Sequence, residues 1–272
     1  MGEIQYDYEA IFIDVGQGDA TVITRLSNMH SVLIDAAVGN PVISVLKDSE
    51  VLQAIFITHW HKDHIDGMHA VLNWLAKQQK RTVNVYINPQ DSSTITAKNL
   101  RRTLDEKYND GIINLKPAFE KAESSLEIIN GKFRILWPRW KEIITKPDML
   151  NLGSLIILFK VGAINLLFGG DAGGDVWPQI DKTFIEADIF KYPHHAGKLH
   201  KNENDWTADN LISKVKPEWV ISSVGKKKQH GHPSKEFIST KSRYPKIHFL
   251  DTTEGNINLQ IESATKKISI RK

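Results

Sequence analysis

The stretch Ile57-Thr-His-Trp-His-Lys-Asp-His64 places four metal-competent side chains, His59, His61, Asp63 and His64, within six residues, directly after the apolar run Leu52 to Ile57. A buried strand ending at Ile57 would deliver His59 and His61 from a rigid edge and leave Asp63 and His64 on the loop before the next helix. Imidazole and carboxylate donors suit zinc, manganese or iron, and the chain has no cysteine with which to build a closed thiolate site. An open, catalytic metal site is therefore predicted. One segment can serve two adjacent cations, with His59 and His61 on one and Asp63 and His64 on the other. A solvated histidine-rich loop is the bland alternative, and its position directly after an apolar strand argues against it.

The 272 residues are ample for a sizeable core, and 41% hydrophobic with 25% charged residues is ordinary for a globular protein. The sequence predicts a single domain over residues 1–272. The start lacks a basic-then-apolar leader pattern and no apolar run approaches membrane-spanning length, so a soluble, cytoplasmic protein with no membrane partner is expected. Without cysteine, disulfides and thiol catalysis are excluded. A net charge of +3 does not by itself establish nucleic-acid binding, and oligomeric state stays open. Basic clusters at Lys77 to Arg81, Lys98 with Arg101 and Arg102, and Lys241 with Arg243 read as solvated faces. Lys226 to Lys228 differs, because it lies just before a second histidine cluster.

Short apolar, β-branched runs at Ala10 to Val15, Ala20 to Thr24, Val32 to Asp35 and Leu52 to Thr58 read as strands. Helical spacing follows over Ile65 to Lys80 and Ala97 to Tyr108, with a strand from Thr82 to Asn88 between them. A hairpin is predicted around Asn130-Gly131, and a second from Leu155 to Phe168. The remainder alternates: helix Val176 to Phe184, strand Asp188 to Tyr192, helix Ala208 to Val215, strand Trp219 to Ser223, helix Ser234 to Ser242, strand Ile247 to Leu250. Strand runs interleaved with helices on this scale predict an α/β fold, two packed sheets with helices outside in four layers.

Further chemistry gathers at the predicted strand ends. Asp171 follows Leu166-Leu-Phe-Gly-Gly170, whose glycines allow close approach, and suits a bridging metal ligand; an N-cap is the simpler alternative. Lys191-Tyr-Pro-His194-His195 ends another strand, where one histidine should complete a metal shell while its neighbour orients a ligand or moves a proton. His232, in His230-Gly-His232-Pro233, is the candidate for a substrate or proton-transfer contact, with Lys228 beside it to suit a phosphate. In Asp14-Val-Gly-Gln-Gly-Asp19-Ala, Asp19 could face the metal centre, although a plain hairpin explains the loop equally well. Asp35, ending Val-Leu-Ile-Asp, reads as a carboxylate that fixes the histidine loop by hydrogen bonds. His30, His69 and His248 default to structural roles.

His59-x-His61-x-Asp63-His64, the strand-end Asp35 and Gly170-Asp171 together resemble the metallo-β-lactamase-fold hydrolases. That resemblance implies an αββα sandwich with a one- or two-metal site between its sheets. More narrowly, Asp14-Val-Gly-Gln-Gly-Asp-Ala20, Pro193-His-His195, Ser223-Val-Gly225 and Gly231-His232-Pro233 look like the hydrolase domain of the ComEC-type DNA-uptake competence proteins, in the same order. Asn151, in Asn-Leu-Gly-Ser154, resembles the Asn-x-x-Ser of that subgroup, in place of a histidine common in the wider fold. Here Ala196-Gly197 follows the histidine pair where the subgroup has Gly-Ser.

The expected chemistry is hydrolysis by a metal-bound hydroxide. Two divalent cations, zinc or manganese, would be held by His59, His61, Asp63, His64, Asp171 and His194 or His195, roughly 3.5 to 4 Å apart. His232 and Lys228 would stabilise developing charge or protonate the leaving group, and Asp63 would also orient the water. Asp19, Asp35, Asn151 and Ser154 would touch substrate or brace the ligands. The leading expectation is a phosphodiesterase of the nuclease type acting on DNA, because the resemblance is to a DNA-processing domain. The alternatives are a small-molecule phosphoesterase, with phosphocholine-type or cyclic nucleotide substrates, and a regulatory module that keeps metal without turnover.

Overall fold

The computed structural model describes residues 5–78, 81–90, 92–120, 124–146, 149–226 and 231–271, and its strands form two sheets. The first runs in the order Lys267–Ile270 (β15), Ile257–Glu262 (β14), Tyr8–Phe12 (β1), Thr21–Arg25 (β2), His30–Ile34 (β3), Val51–Ile57 (β4), Val83–Ile87 (β5) and Ile113–Pro117 (β6). The second runs His248–Asp251 (β13), Trp219–Ser222 (β12), Ile189–Lys191 (β11), Ile164–Phe168 (β10), Ile156–Val161 (β9), Gly131–Trp137 (β8) and Leu126–Ile128 (β7). Pairing is antiparallel from β15 to β3 and parallel from β3 to β6. In the second sheet it is antiparallel from β7 to β10 and parallel from β10 to β13.

The burial of each strand follows its pattern of side chains. On β14, Ile257, Leu259 and Ile261 are buried and the residues between them are half-buried, as one-sided packing requires. On the parallel β4 both faces are apolar: Ala54 and Phe56 enter the core between the sheets, while Leu52, Ile55 and Ile57 face the helices. A run of rings joins the sheets across that middle layer, with Phe159 and Phe133 stacked at 4.3 Å, Phe133 and Phe56 at 5.2 Å, and Phe56 and Tyr86 at 4.8 Å.

Helices cover the outer faces. Over the first sheet lie Gly39–Leu46 (α1), the short Lys62–Ile65 (α2), Met68–Gln78 (α3) and Ile95–Asn109 (α4); α3 turns Met68, Val71, Leu72 and Leu75 inward at helical spacing. Trp140–Thr145 (α5) follows β8, and Ala208–Val215 (α6) and Lys235–Arg243 (α7) cover the second sheet. Thr207 opens α6 in a capping box with Asn210, and the Ser234 hydroxyl caps α7. The result is the predicted four-layer αββα sandwich. No helix among the described residues is long and apolar enough to cross a membrane.

Two local expectations need correction. The predicted helix over Val176 to Phe184 is two separate 3₁₀ turns, Trp177–Gln179 and Lys182–Phe184. Pro178 withholds an N–H and the Asp181 side chain accepts from the Thr183 N–H, starting a new turn. In the first hairpin Ile128 pairs with Gly131, so the tip is Ile129-Asn130, both at positive φ, rather than Asn130-Gly131. Gly131 instead lies flat on the Phe159 ring, where a Cβ would overlap it. Strands β6, β14 and β15 and helices α1 and α5 were not anticipated from the sequence, and Asp63 and His64, expected on a loop before the next helix, lie on the separate short helix α2, with α3 beginning only at Met68.

Candidate metal centre

The carboxyl ends of the parallel strands of both sheets meet at one edge of the sandwich, the usual place for a site in parallel α/β sheets. From the first sheet, β3 ends at Asp35 and β4 at the histidine loop. Asp35 takes a left-handed backbone, φ 57°, and its carboxylate accepts from the Thr58 N–H at 2.8 Å and the Thr58 hydroxyl at 2.7 Å. It also accepts from His64 Nδ1 at 2.7 Å. Asp35 therefore locks the loop and sets the tautomer of His64 together. The backbone of Gly18, at φ 149°, lies against the same loop, and a Cβ there would stand 2.6 Å from the Asp63 carbonyl.

From the second sheet, β10 leads through Gly169 and Gly170 to Asp171. Gly170 sits at φ 51°, and a Cβ on it would overlap Ser154 Oγ, which accepts from the Asp171 N–H at 2.9 Å. After β11, His194, His195 and Ala196 all adopt left-handed backbone, each at a cost of roughly 1–2 kcal/mol, which marks this tip as held in place by its surroundings. The turn carries His195 Nε2 to 3.2 Å from Asp63 Oδ2 and 3.7 Å from Asp171 Oδ1. His194 makes none of the ion-pair contacts of Asp63 or Asp171 among the described residues; its ring stands edge-on to His232 at 5.2 Å.

These contacts fix which nitrogen of each buried ring faces the centre. His195 Nδ1 lies 3.1 Å from the Ser223 carbonyl, which can only accept, so Nδ1 carries hydrogen and Nε2 is the nitrogen that presents a lone pair when the ring is neutral. The same holds for His64 on the Asp35 carboxylate. The Thr58 hydroxyl spends its hydrogen on Asp35, so its oxygen accepts from His59 Nδ1 at 3.1 Å, and Ser154 Oγ lies 3.3 Å from that nitrogen. His59 Nε2 then points inward, 3.0 Å from His61 Nδ1 and 3.6 Å from Asp171 Oδ2. His64 Nε2 stands 3.1 Å from Asp171 Oδ1 without hydrogen-bond alignment.

Buried His64 Nε2, His195 Nε2 and Asp171 Oδ1 thus converge with no hydrogen-bond partner, an arrangement that is costly unless something else satisfies it. A divalent cation fits that donor set, and His59, His64 and Asp171 offer ligand atoms within 4.8 Å of one another, as do Asp19, His64 and His195. The protonation equilibria show the strain of the bare cluster. Against burial, which pushes it down, Asp171 and Asp19 hold His195 up to about 9, and Asp171 and Asp35 hold His64 well above the usual histidine range. Burial, and then the charge of His64, push His59 well below it. Burial opposes, but His195 and His64 bring Asp63 down to about 2, and His64 and His195 hold Asp171 well below the usual carboxylate range.

The remaining predicted residues surround this core. Asp19 stands behind His195, its Oδ1 3.4 Å from Nδ1 and 2.7 Å from Nζ of the buried Lys191. Asn151 is half-buried beside His61, with its Oδ1 toward the ring. His232 is buried one ring away from the cluster, stacked 6.3 Å from His195. Lys228 and His230 lie outside the described residues. His30, His69 and His248 sit elsewhere, on Gln53, Thr103 and Trp219 respectively. Sequence reasoning passed over Thr58, Lys191, Ser223 and Gln17, which brace the site. The readable signals were a lysine closing an apolar strand and a glutamine inside a glycine turn already marked for close approach.

A family model described as the Anti-Pycsar protein Apyc1 matches residues 19–149, a span that holds Asp35 and the histidine loop and stops before Asn151, Asp171 and His195. No curated protein sequence matches the chain. Among solved structures it is similar to the metallo-β-lactamase fold protein YhfI from Bacillus subtilis, with TM-score 0.61 and 12% identity over 93% of this chain and 100% of that one. A diphosphatase of the PhnP family gives TM-score 0.55 and 13% identity over 94% and 99%. A mutant of the CmlA β-hydroxylase gives 0.61 and 12%, over 95% of this chain and 55% of that one. The narrower likeness to ComEC-type proteins finds no counterpart in these matches. With its strand order, its layers and these neighbours, the chain has the metallo-β-lactamase fold.

Proposed function

We propose that this chain is a metal-dependent phosphodiesterase with cyclic nucleotides as its substrate class. The observation that carries the metal dependence is the split aim of Asp171: Oδ2 faces His59, while Oδ1 faces His64 and His195. That divides the donors into two sets sharing one carboxylate. His59, His61 and Asp171, with Asn151 beside them, would hold one cation, and Asp63, His64, His195 and Asp171 a second. Zinc or manganese suits such a set. A bound divalent cation supplies Lewis acidity, polarising a phosphoryl oxygen and making water a competent nucleophile near neutral pH. The protein's own part is orientation: Asp35, Thr58, Ser154 and Ser223 hold the imidazoles from behind, and Asp63, partly open to solvent, stands at the mouth to align water.

The substrate class is supported by the family match, Apyc1 being a cyclic nucleotide phosphodiesterase, and by the fold neighbour described as a diphosphatase. A second reading, a nuclease acting on DNA, is favoured by the basic residues of this face. Arg101 lies over the Trp60 ring of the histidine loop at 4.8 Å, and exposed Lys198, Lys201 and Lys226 follow the site-bearing ends of β11 and β12. A panel of 3′,5′-cyclic nucleotides, single-stranded DNA and bis-p-nitrophenyl phosphate, assayed with manganese, zinc, magnesium or EDTA, separates these. Metal-dependent opening of the cyclic nucleotide, lost in EDTA and in His61→Ala, is expected. Cleavage of DNA alone would favour the nuclease, and no cleavage of any diester would overturn the proposal.

A further inference from the structure

Gln17 lies in the glycine turn between β1 and β2, and it touches the connection from β12 to α7 of the second sheet at two points. Its Oε1 accepts from the Gly225 N–H at 3.4 Å, and its Nε2 lies 3.2 Å from His232 Nδ1. A backbone N–H can only donate, so the orientation of the Gln17 amide is settled by Gly225: reversing it would set an NH₂ group against an N–H. The Nε2 of Gln17 is then the donor toward His232, and Nδ1 of that ring must accept. The hydrogen of the His232 imidazole is left on Nε2, the nitrogen that lies against Gly197, where a Cβ would come within 2.8 Å of it. Gly197 leaves room for the ring, and the ring stacks on His195 at 6.3 Å, beside the cluster.

Building on the phosphodiesterase reading, we propose that Gln17 is a positioning residue that holds His232 with its hydrogen on Nε2, so that His232 meets the substrate phosphoryl group as a hydrogen-bond donor. The neutral ring gives a hydrogen bond to an oxygen on which charge develops and keeps its proton, as preorganised donors do in other hydrolytic sites. Of the two roles that the sequence suggested for His232, this is the stabilisation of developing charge and not the proton transfer. It also gives the first sheet a hold on a residue that the second sheet carries.

Long-range ¹H–¹⁵N correlation spectra of the ¹⁵N-labelled protein read the tautomer directly, with the His232 signals assigned by their loss in His232→Asn. The wild type should show a protonated Nε2 and a bare Nδ1. Gln17→Glu puts an acceptor where the donor was and should move the hydrogen to Nδ1, whereas the near-isosteric Gln17→Met should leave a mixture. A protonated Nδ1 in the wild type, or a Gln17→Glu spectrum matching wild type, would overturn the assignment. In kinetics on whichever diester the wild type cleaves, Gln17→Met should lower kcat about tenfold with KM changed less than about twofold. Full kcat in that variant would remove the role. A wild type that cleaves no diester would refute the phosphodiesterase reading, while the spectra would still decide the tautomer.

Discussion

The two sheets contribute to the centre in different ways. The first supplies His59 and His61 from the loop after β4 and Asp63 and His64 from the short α2, braced by Asp35, which accepts short hydrogen bonds from Thr58 and His64. The second supplies Asp171 and His195 from separate strand ends, held by a buried ion pair, a carbonyl and a strained turn. The first half is a motif and the second is a consequence of topology. It follows that the first should tolerate loss of a brace with only weakened binding, whereas the second depends on buried charge that must stay paired.

The sharpest way to break this contrast is to remove the cation buried behind the second half. Lys191→Met leaves Asp19 buried beside His195 without its 2.7 Å partner, and loss of about 3–5 kcal/mol is expected in denaturant unfolding. Lys191→Met with Asp19→Asn should recover most of it. Asp171→Asn keeps the shape and removes the shared charge; metal-dependent turnover should fall by more than about 100-fold, beyond what losing a brace costs, as steady-state rates would show. On the first half, Asp35→Asn retains an acceptor for Thr58 but weakens the hold on His64. Metal affinity measured by competition with a chromogenic chelator should drop about 10–100-fold with the fold intact.

A smaller effect separates the bare and loaded protein by pH. Without metal, the His195 pKa is raised to about 9, so the stability it contributes is complete below its unfolded value of about 6.5 and is lost as pH rises through 9. The Tm of EDTA-treated protein should therefore fall across that window. With metal bound, the same nitrogen is a ligand that must be free of hydrogen, so the trend should flatten or reverse. Parallel falls in both samples would show that His195 Nε2 does not serve the cation.

Legibility followed the same division. The histidine loop could be read because six consecutive residues carry its chemistry, and Asp35 and Asp171 because each ends an apolar strand. Whether His194 or His195 completes the centre was not legible. That depends on three successive left-handed residues, which no propensity anticipates in His-His-Ala. Lys191 and Gln17 were hidden for a related reason. Each acts through a residue far away in sequence, Asp19 for one and His232 for the other, and only the packing of one sheet on the other brings them together. Strand β14 was legible and was passed over, since Ile257, Leu259 and Ile261 alternate with polar residues, whereas β15 is a short edge strand with little pattern to read.

On the proposed function, the two sheets hold a pair of divalent cations on either side of Asp171. Anomalous diffraction from crystals loaded with manganese or zinc tests it most directly. Two peaks are expected, one among His59, His61 and Asp171 and the other among Asp63, His64, His195 and Asp171. Data from fully loaded crystals with no peak at that carboxylate would contradict the account.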